Sequence, residues 1–178
     1  AAAVRGGLLY VHHNYIHDND QRGLGYGVAS TLAGSKIEYN VFERNRHAVT
    51  GSGEKDEGYI VRYNFFGSEG IAGAGHKIDM HNDDSGKAGS KIEIYRNTIK
   101  YEDAQAVYIR GVPRDYVEIR ENWIYNTNDP CLSKNERADG YCAIQQKSDN
   151  WSKTDYFNNH YGSDEPDCGI GAPRNSCT

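Results

Sequence analysis

Apolar residues recur along this chain in pairs, five positions apart, on either side of an asparagine. Val11-His-His-Asn-Tyr-Ile16, Ile37-Glu-Tyr-Asn-Val-Phe42, Val61-Arg-Tyr-Asn-Phe-Phe66, Ile94-Tyr-Arg-Asn-Thr-Ile99 and Ile119-Arg-Glu-Asn-Trp-Ile124 share that form. The asparagines stand at 14, 40, 64, 97 and 122, so the spacing is 24 to 26 residues with one step of 33. Recurrence at such a period is the mark of a solenoid. In a straight strand, residues an odd number apart point to opposite faces. Both apolar residues of a pair can face one core only if the chain bends between them. Asn is the non-glycine residue most willing to take the left-handed conformation of such a bend. The pattern therefore predicts two short strands per repeat, joined at the Asn. Stacked coils would place Asn14, Asn40, Asn64, Asn97 and Asn122 above one another, each amide bonding to the next.

A second series supplies the third side of each coil. The stretches 25–30, 46–51, 76–81, 105–110 and 141–147 align on Val28, Val49, Ile78, Val107 and Ile144 as inward residues. The connecting stretches 52–58, 68–75, 82–89 and 126–140 are rich in Gly and Asp, and no helical periodicity of useful length appears. The prediction is an all-β parallel β-helix (solenoid) of about five coils over residues 1–147. A C-terminal cap, 148–178, belongs to the same domain. No amphipathic helix is read as a cap for the first coil, so either another segment covers it or it is exposed and prone to self-association.

This pattern resembles the right-handed parallel β-helix proteins of the pectate-lyase-like superfamily. The resemblance rests on Val11-His-His-Asn-Tyr-Ile16 and its four echoes, over roughly residues 8–147. It implies the fold, and right-handedness agrees with the general hand of parallel crossovers. Segments such as Gly25-Tyr-Gly, Arg44-Asn-Arg-His-Ala48 and His76-Lys-Ile-Asp-Met-His81 are also similar to a group of secreted bacterial β-helix repeat proteins. That second likeness implies no activity.

Composition fits a solenoid better than a globule. Only 37% of the 178 residues are apolar and 20 are Gly, which suits a narrow core and many turns. The net charge of -5 argues against nucleic acid as a partner. No run of about 18 apolar residues is present, so no membrane span is expected. The four cysteines, Cys131, Cys142, Cys168 and Cys177, lie in the last third of the chain. An even count in an irregular tail reads as two disulfides pinning the cap of a secreted, extracellular protein. Short loops favour Cys131 with Cys142 and Cys168 with Cys177, and the spacing does not suit a zinc knuckle.

Chemistry is expected on the outer ladders, one residue per coil. One position after the inward anchor come Ala29, Thr50, Asp79, Tyr108 and Gln145; three after come Thr31, Ser52, His81, Arg110 and Lys147. One position before come Gly27, Ala48, Lys77, Ala106 and Ala143, where the four small residues predict a shallow trough. A trough bearing cations and a tyrosine would suit an acidic polysaccharide. The expected reaction is β-elimination from a uronate polymer. Arg110 would neutralise the carboxylate, His81 or Lys147 would take the proton, and Tyr108 would serve as acid. Asp79, Lys77, Gln145 and Thr50 would contact substrate. Glycoside hydrolysis, which needs two facing carboxylates, ranks behind elimination because this ladder supplies Asp79 alone. Against both stands a non-catalytic glycan-binding or structural module, assembling end to end.

No cofactor is required by this reading, although calcium at Asp79, Asp83 and Asp84 is a weak alternative. His47 and His76 share the position two before the anchor and are expected to stack, closing a core corner. Trp123 and Tyr125, with Tyr15 and Phe65, form an aromatic row on another wall, expected to lie under the cysteine-rich tail.

Overall fold

The structure, a computed structural model, describes residues 8–21, 25–31, 34–68, 76–102, 104–127, 142–148 and 150–177, with residue 177 described by its backbone alone. The expected alternation of short strands and bends is present, and every strand pairing in it is parallel. One sheet contains Tyr10–His12, Ser35–Glu38, Tyr59–Arg62, Lys91–Tyr95, Tyr116–Arg120 and Thr154–Phe157. A second, entered just after each Asn, contains Tyr15–Asn19, Val41–Asn45, Phe65–Phe66, Thr98–Ile99, Trp123–Ile124 and His160–Tyr161. The third contains Tyr26–Ser30, His47–Gly51, Ile78–Met80, Val107–Ile109 and Ile144–Gln146. Three parallel sheets stacked in register are the arrangement of a parallel β-helix.

The core is the column the apolar pairs predict. Ile37, Val61, Ile94 and Ile119 lie in register on the first sheet. Phe42 and Phe66 stack on the second with ring centroids 5.0 Å apart. Val28, Val49, Ile78, Val107 and Ile144 line the third, as the alignment requires. All are buried. Among the described residues no α-helix occurs, and the one helical turn is a 3-10 turn at Asn175–Cys177.

The Asn ladder forms, with two differences from expectation. First, the left-handed residue is the one before each Asn. His13, Tyr39, Tyr63, Arg96, Glu121 and Asn158 all have φ between 53° and 57°. That bend turns the Asn side chain inward, where its Nδ2 bonds the carbonyl two residues earlier, as Asn97 does to Tyr95 at 3.1 Å. The amide thus serves the strained corner from inside. Second, the ladder has a sixth rung, Asn159, whose Oδ1 accepts from the backbone N and Nδ2 of Asn122 at 3.0 and 2.9 Å. The first two sheets accordingly continue through Thr154–Phe157 and His160–Tyr161, beyond the expected last coil at 147. Tyr156 stands in register where the earlier pairs have an aliphatic residue, which is why the sixth repeat does not match the pattern.

The C-terminal tail returns along the second sheet. Ala172 N donates to Thr98 Oγ1 at 2.9 Å, Gly171 N donates to the Glu121 carbonyl at 2.8 Å, and Arg174 lies over the Trp123 ring. Trp123 is buried, with Nε1 donating to the Gly162 carbonyl at 2.8 Å. The aromatic row therefore lies beneath the tail at this point, as expected. Cys142 and Cys168 are disulfide-bonded, and no described cysteine is free. Cys131 and the Cys177 side chain lie outside the described residues, and the expected pairing lies there with them. The expected loops 68–75 and 126–140 also fall largely outside.

Candidate functional site

The third sheet carries the ladders singled out in the sequence, and their register is as aligned. Thr50, Asp79, Tyr108 and Gln145 occupy successive rungs. The next ladder continues past the strand ends, with His81 N bonding the Gly51 carbonyl, Arg110 N that of Met80 and Lys147 N that of Ile109. The position before the anchor faces the core instead of a trough. Ala48, Ala106 and Ala143 belong to the core cluster. A Cβ on Gly27 would stand 3.2 Å from Ile16 Cγ2 and 3.3 Å from Phe42. The residues are small because the chain turns the corner there, with anchor and predecessor both inside. Lys77 follows them inward. It is buried, and its Nζ lies 4.2 Å from the centre of the Tyr101 ring, so it is withdrawn from the wall where it was expected to meet substrate.

At the middle of this wall stands Asp79, fully buried. Arg110 grips it with two bonds, Nε to Oδ1 at 2.9 Å and Nη2 to Oδ2. His81 Nε2 makes a close polar contact with Oδ2 at 3.2 Å, and His47 Nε2 stands 3.8 Å from the same oxygen. Burial alone would push the Asp79 carboxyl up, but His81 and Arg110 outweigh it and hold it well below the usual carboxylate range. The site therefore carries a fixed, ionised carboxylate.

Behind Asp79 the rings form a stack. Tyr26 lies over His47 at 5.5 Å, His47 over His76 at 5.5 Å, and His76 meets Tyr108 at 4.5 Å. His47 is anchored by its Nδ1 against the His76 carbonyl at 3.0 Å. The expected stacking of these two histidines is present, and of the pair it is His47 that bonds backbone. Burial pushes both imidazoles down, that of His76 to about 4, with Asp79 acting in the opposite direction. Both are neutral near neutral pH.

Of the expected catalytic residues, His81, Arg110 and Tyr108 come together around Asp79, with the Arg110 guanidinium 5.2 Å from the centre of the Tyr108 ring. Arg110 is already committed to a carboxylate, which alters its expected part as neutraliser of substrate charge. Lys147 stands on the following rung with its side chain exposed. Of the expected contact residues, Thr50 and Gln145 are buried, and Gln145 accepts a hydrogen bond from Gln105 Nε2. His47 is the residue the chemical reading left out. Its position two before the anchor was visible, but its reach to Asp79 depends on ring orientation.

Calcium at Asp79, Asp83 and Asp84 does not fit. Asp79 is held by Arg110. Asp83 Oδ1 accepts from Ser85 N, Ser85 Oγ and Lys87 N at 2.9, 2.7 and 2.9 Å, while Oδ2 pairs with Arg114. Those backbone and side-chain donors hold the Asp83 carboxyl down, at about 2. Asp84 is exposed in the turn beside it. Among the described residues no three His, Cys, Asp or Glu side chains are placed to hold a metal ion. No helix there is long and apolar enough to cross a membrane.

No known protein family, no curated protein and no solved structure matches this chain.

Proposed function

We propose that the protein is a secreted carbohydrate-active enzyme that cleaves an acidic, uronate-containing polysaccharide by β-elimination on the outer face of the third sheet. Its fold in this reading is the right-handed form of the parallel β-helix, of the pectate-lyase-like kind, with disulfides securing the C-terminal region. The observation that carries the reading is the His81–Asp79 pair. One imidazole nitrogen, Nε2, is shielded against a fixed carboxylate, while 36% of the His81 side chain remains exposed. A carboxylate that orients one ring nitrogen leaves the other, Nδ1, free to take a proton.

In the proposed step, His81 Nδ1 removes the proton beside the uronate carboxylate. The electron pair forms the new C=C bond, the glycosidic C–O bond on the adjacent carbon breaks, and the leaving oxygen is protonated by Tyr108. With Arg110 engaged by Asp79, the charge facing the substrate carboxylate falls to Lys147. Arg110 then serves as the clamp that keeps Asp79 ionised and in place.

Incubation with a panel of uronate polymers, read by ultraviolet absorbance of the unsaturated product, tests this. His81→Ala is expected to lower turnover by about 10²- to 10⁴-fold with an unchanged circular dichroism spectrum, the usual range for a general base. Lys147→Ala is expected to raise KM more than it lowers kcat. Absence of product across the panel, with and without calcium, overturns the enzymatic reading. Glycan retention in that case, surviving both substitutions, would instead identify a non-catalytic binding module.

A further inference from the structure

Two histidine rings face the Asp79 carboxylate, and they cannot treat it alike. His47 and Asp79 are both buried. The His47 ring is held between Tyr26 and His76, with centroids 5.5 Å away on each side. Its Nδ1 lies 3.0 Å from the His76 carbonyl. A carbonyl oxygen can only accept, so Nδ1 carries a proton and donates it. Burial pushes the imidazole down, with Arg46 and Arg110 acting the same way and Asp79 opposing, so near neutral pH the ring holds that one proton and no second. His47 Nε2 is therefore a bare lone pair. It stands 3.8 Å from Asp79 Oδ2, which is itself an acceptor, and it has no hydrogen-bond partner among the described residues.

The consequence falls on His81. Each oxygen of an ionised carboxylate offers two lone pairs. Arg110 Nη2 meets one of those on Oδ2, while Arg110 Nε is occupied with Oδ1 at 2.9 Å. The second lone pair of Oδ2 lies within reach of one ring that has no proton to give, His47, and one that can supply it, His81, whose Nε2 is 3.2 Å away. A buried carboxylate oxygen left short of a donor is costly. The demand for that donor is met by the Nε2–H form of His81, the form in which Nδ1 is bare.

We infer that His47 is a positioning residue, which holds the His81 proton on Nε2 by presenting a bare nitrogen to the carboxylate they share. Its catalytic consequence rests on the elimination reading above; the placement of the proton does not. A hydrogen-bond donor at the position of His47 Nε2 would satisfy Oδ2 from behind. His81 would then exchange between its two neutral forms, and in one of them Nδ1 carries the proton and cannot act as base. Glutamine and asparagine separate the two nitrogens of His47. A glutamine amide reaches the position of Nε2 and supplies a donor to Asp79. An asparagine amide reaches only the position of Nδ1, so it keeps the bond to the His76 carbonyl and offers Asp79 nothing.

Long-range proton–nitrogen correlation spectra of the nitrogen-labelled protein at neutral pH test the inference, because a bare and a protonated ring nitrogen resonate far apart. His81→Ala and His47→Asn identify the signals of the two rings by their loss. In the wild type, His47 is expected to show a bare Nε2 and His81 a bare Nδ1. In His47→Gln the two His81 nitrogens should move towards each other, the sign of exchange between forms, whereas in His47→Asn they should stay apart. On a uronate polymer that the wild type cleaves, His47→Gln should lower kcat by about 10- to 100-fold with KM unchanged, the range found where an outer partner orients a metal-bound histidine. His47→Asn should recover most of that loss. A proton on His47 Nε2 in the wild type overturns the inference. So do His81 signals, or kcat values, that change alike in the two variants, because His47 would then serve the stack alone. If the wild type cleaves no polymer, the elimination reading falls, and the ring-nitrogen spectra still decide whether His47 sets the His81 proton. Circular dichroism of each variant separates a moved proton from a lost fold.

Discussion

Replacing Asn97 by Ala is expected to lower stability by about 4 kcal/mol or more, a large part of the margin of an ordinary domain. Asn97 is fully buried at the middle of the ladder. Its Nδ2 reaches the carbonyls of Val61 and Tyr95 at 2.9 and 3.1 Å and Oδ1 of Asn122 at 3.0 Å. Its Oδ1 accepts from the backbone N and Nδ2 of Asn64 at 3.0 and 3.1 Å. Alanine removes all of these, leaves the buried backbone N–H of Asn64 without an acceptor, and takes one of three acceptors from Asn64 Nδ2, which keeps the Ile37 and Arg62 carbonyls. Each buried group stranded this way costs about 1–3 kcal/mol, and water has no entry to the column to replace the lost partner. The loss also falls beside Arg96, whose left-handed φ of 54° is held by the corner bonds. Asn97→Asp is no remedy, because its carboxylate would face the carbonyls that the amide now bonds. Asn14→Ala is the internal control. That rung is exposed, so the change should fall within about 1 kcal/mol of wild type. Urea unfolding of the three variants checks the order. Equal losses at Asn14 and Asn97 would mean that the ladder does not hold the column.

The same ladder explains what could be read from the sequence. An aliphatic residue, two positions of any kind, an Asn and an apolar residue two further on form a one-dimensional signature of a three-dimensional corner. It located the sheets and the register of the third wall, with Val28, Val49, Ile78, Val107 and Ile144 in one column. It did not locate the bend to the residue. Asn is the non-glycine residue with the strongest left-handed preference, yet His13, Tyr39, Tyr63, Arg96 and Glu121 adopt that conformation. Asn is required there for its inward amide, which composition alone does not distinguish from its backbone preference. Asn159 carries no such signature, because Tyr156 can cap an apolar column as well as Ile or Val but does not repeat the letter pattern.

The site was legible as columns and illegible as contacts. Asp79, His81, Tyr108 and Arg110 were all placed on the right wall. That Arg110 spends its charge on Asp79 follows from a diagonal contact between neighbouring coils, 31 residues apart in the chain. No spacing rule separates that from an Arg pointing to solvent. The inward turn of Lys77 had the same origin. Strict alternation places it outside, and a corner that buries two successive residues places it inside.

The same wall should make the protein sensitive to acid in two stages. His76 is the first. Burial lowers its imidazole from an ordinary 6.5 to about 4, with His47 and Arg110 pushing the same way and Asp79 opposing. The Tyr108 ring and Gln105 complete its surroundings. Unfolding frees His76 to bind a proton that the folded state refuses. Its contribution is therefore intact above pH 6.5 and is lost progressively as pH falls to about 4. Each pKa unit between the two states is worth about 1.4 kcal/mol, so the loss is roughly 3 kcal/mol. His47, lowered for the same reason, adds to it in the same direction. Asp79 supplies the second stage. Its folded value lies below its ordinary 3.8, so the stability it brings is present above that pH and disappears below it. Denaturant unfolding at stepped pH should show a decline from pH 6.5 towards 4 that His76→Gln largely flattens, followed by a steeper fall below pH 3.8 that the substitution leaves in place. A wild-type curve that is level between pH 6.5 and 4, or a decline that His76→Gln does not alter, would mean that the histidine stack is open to water and that the wall behind Asp79 is not the dry surface on which its pairing with His81 depends.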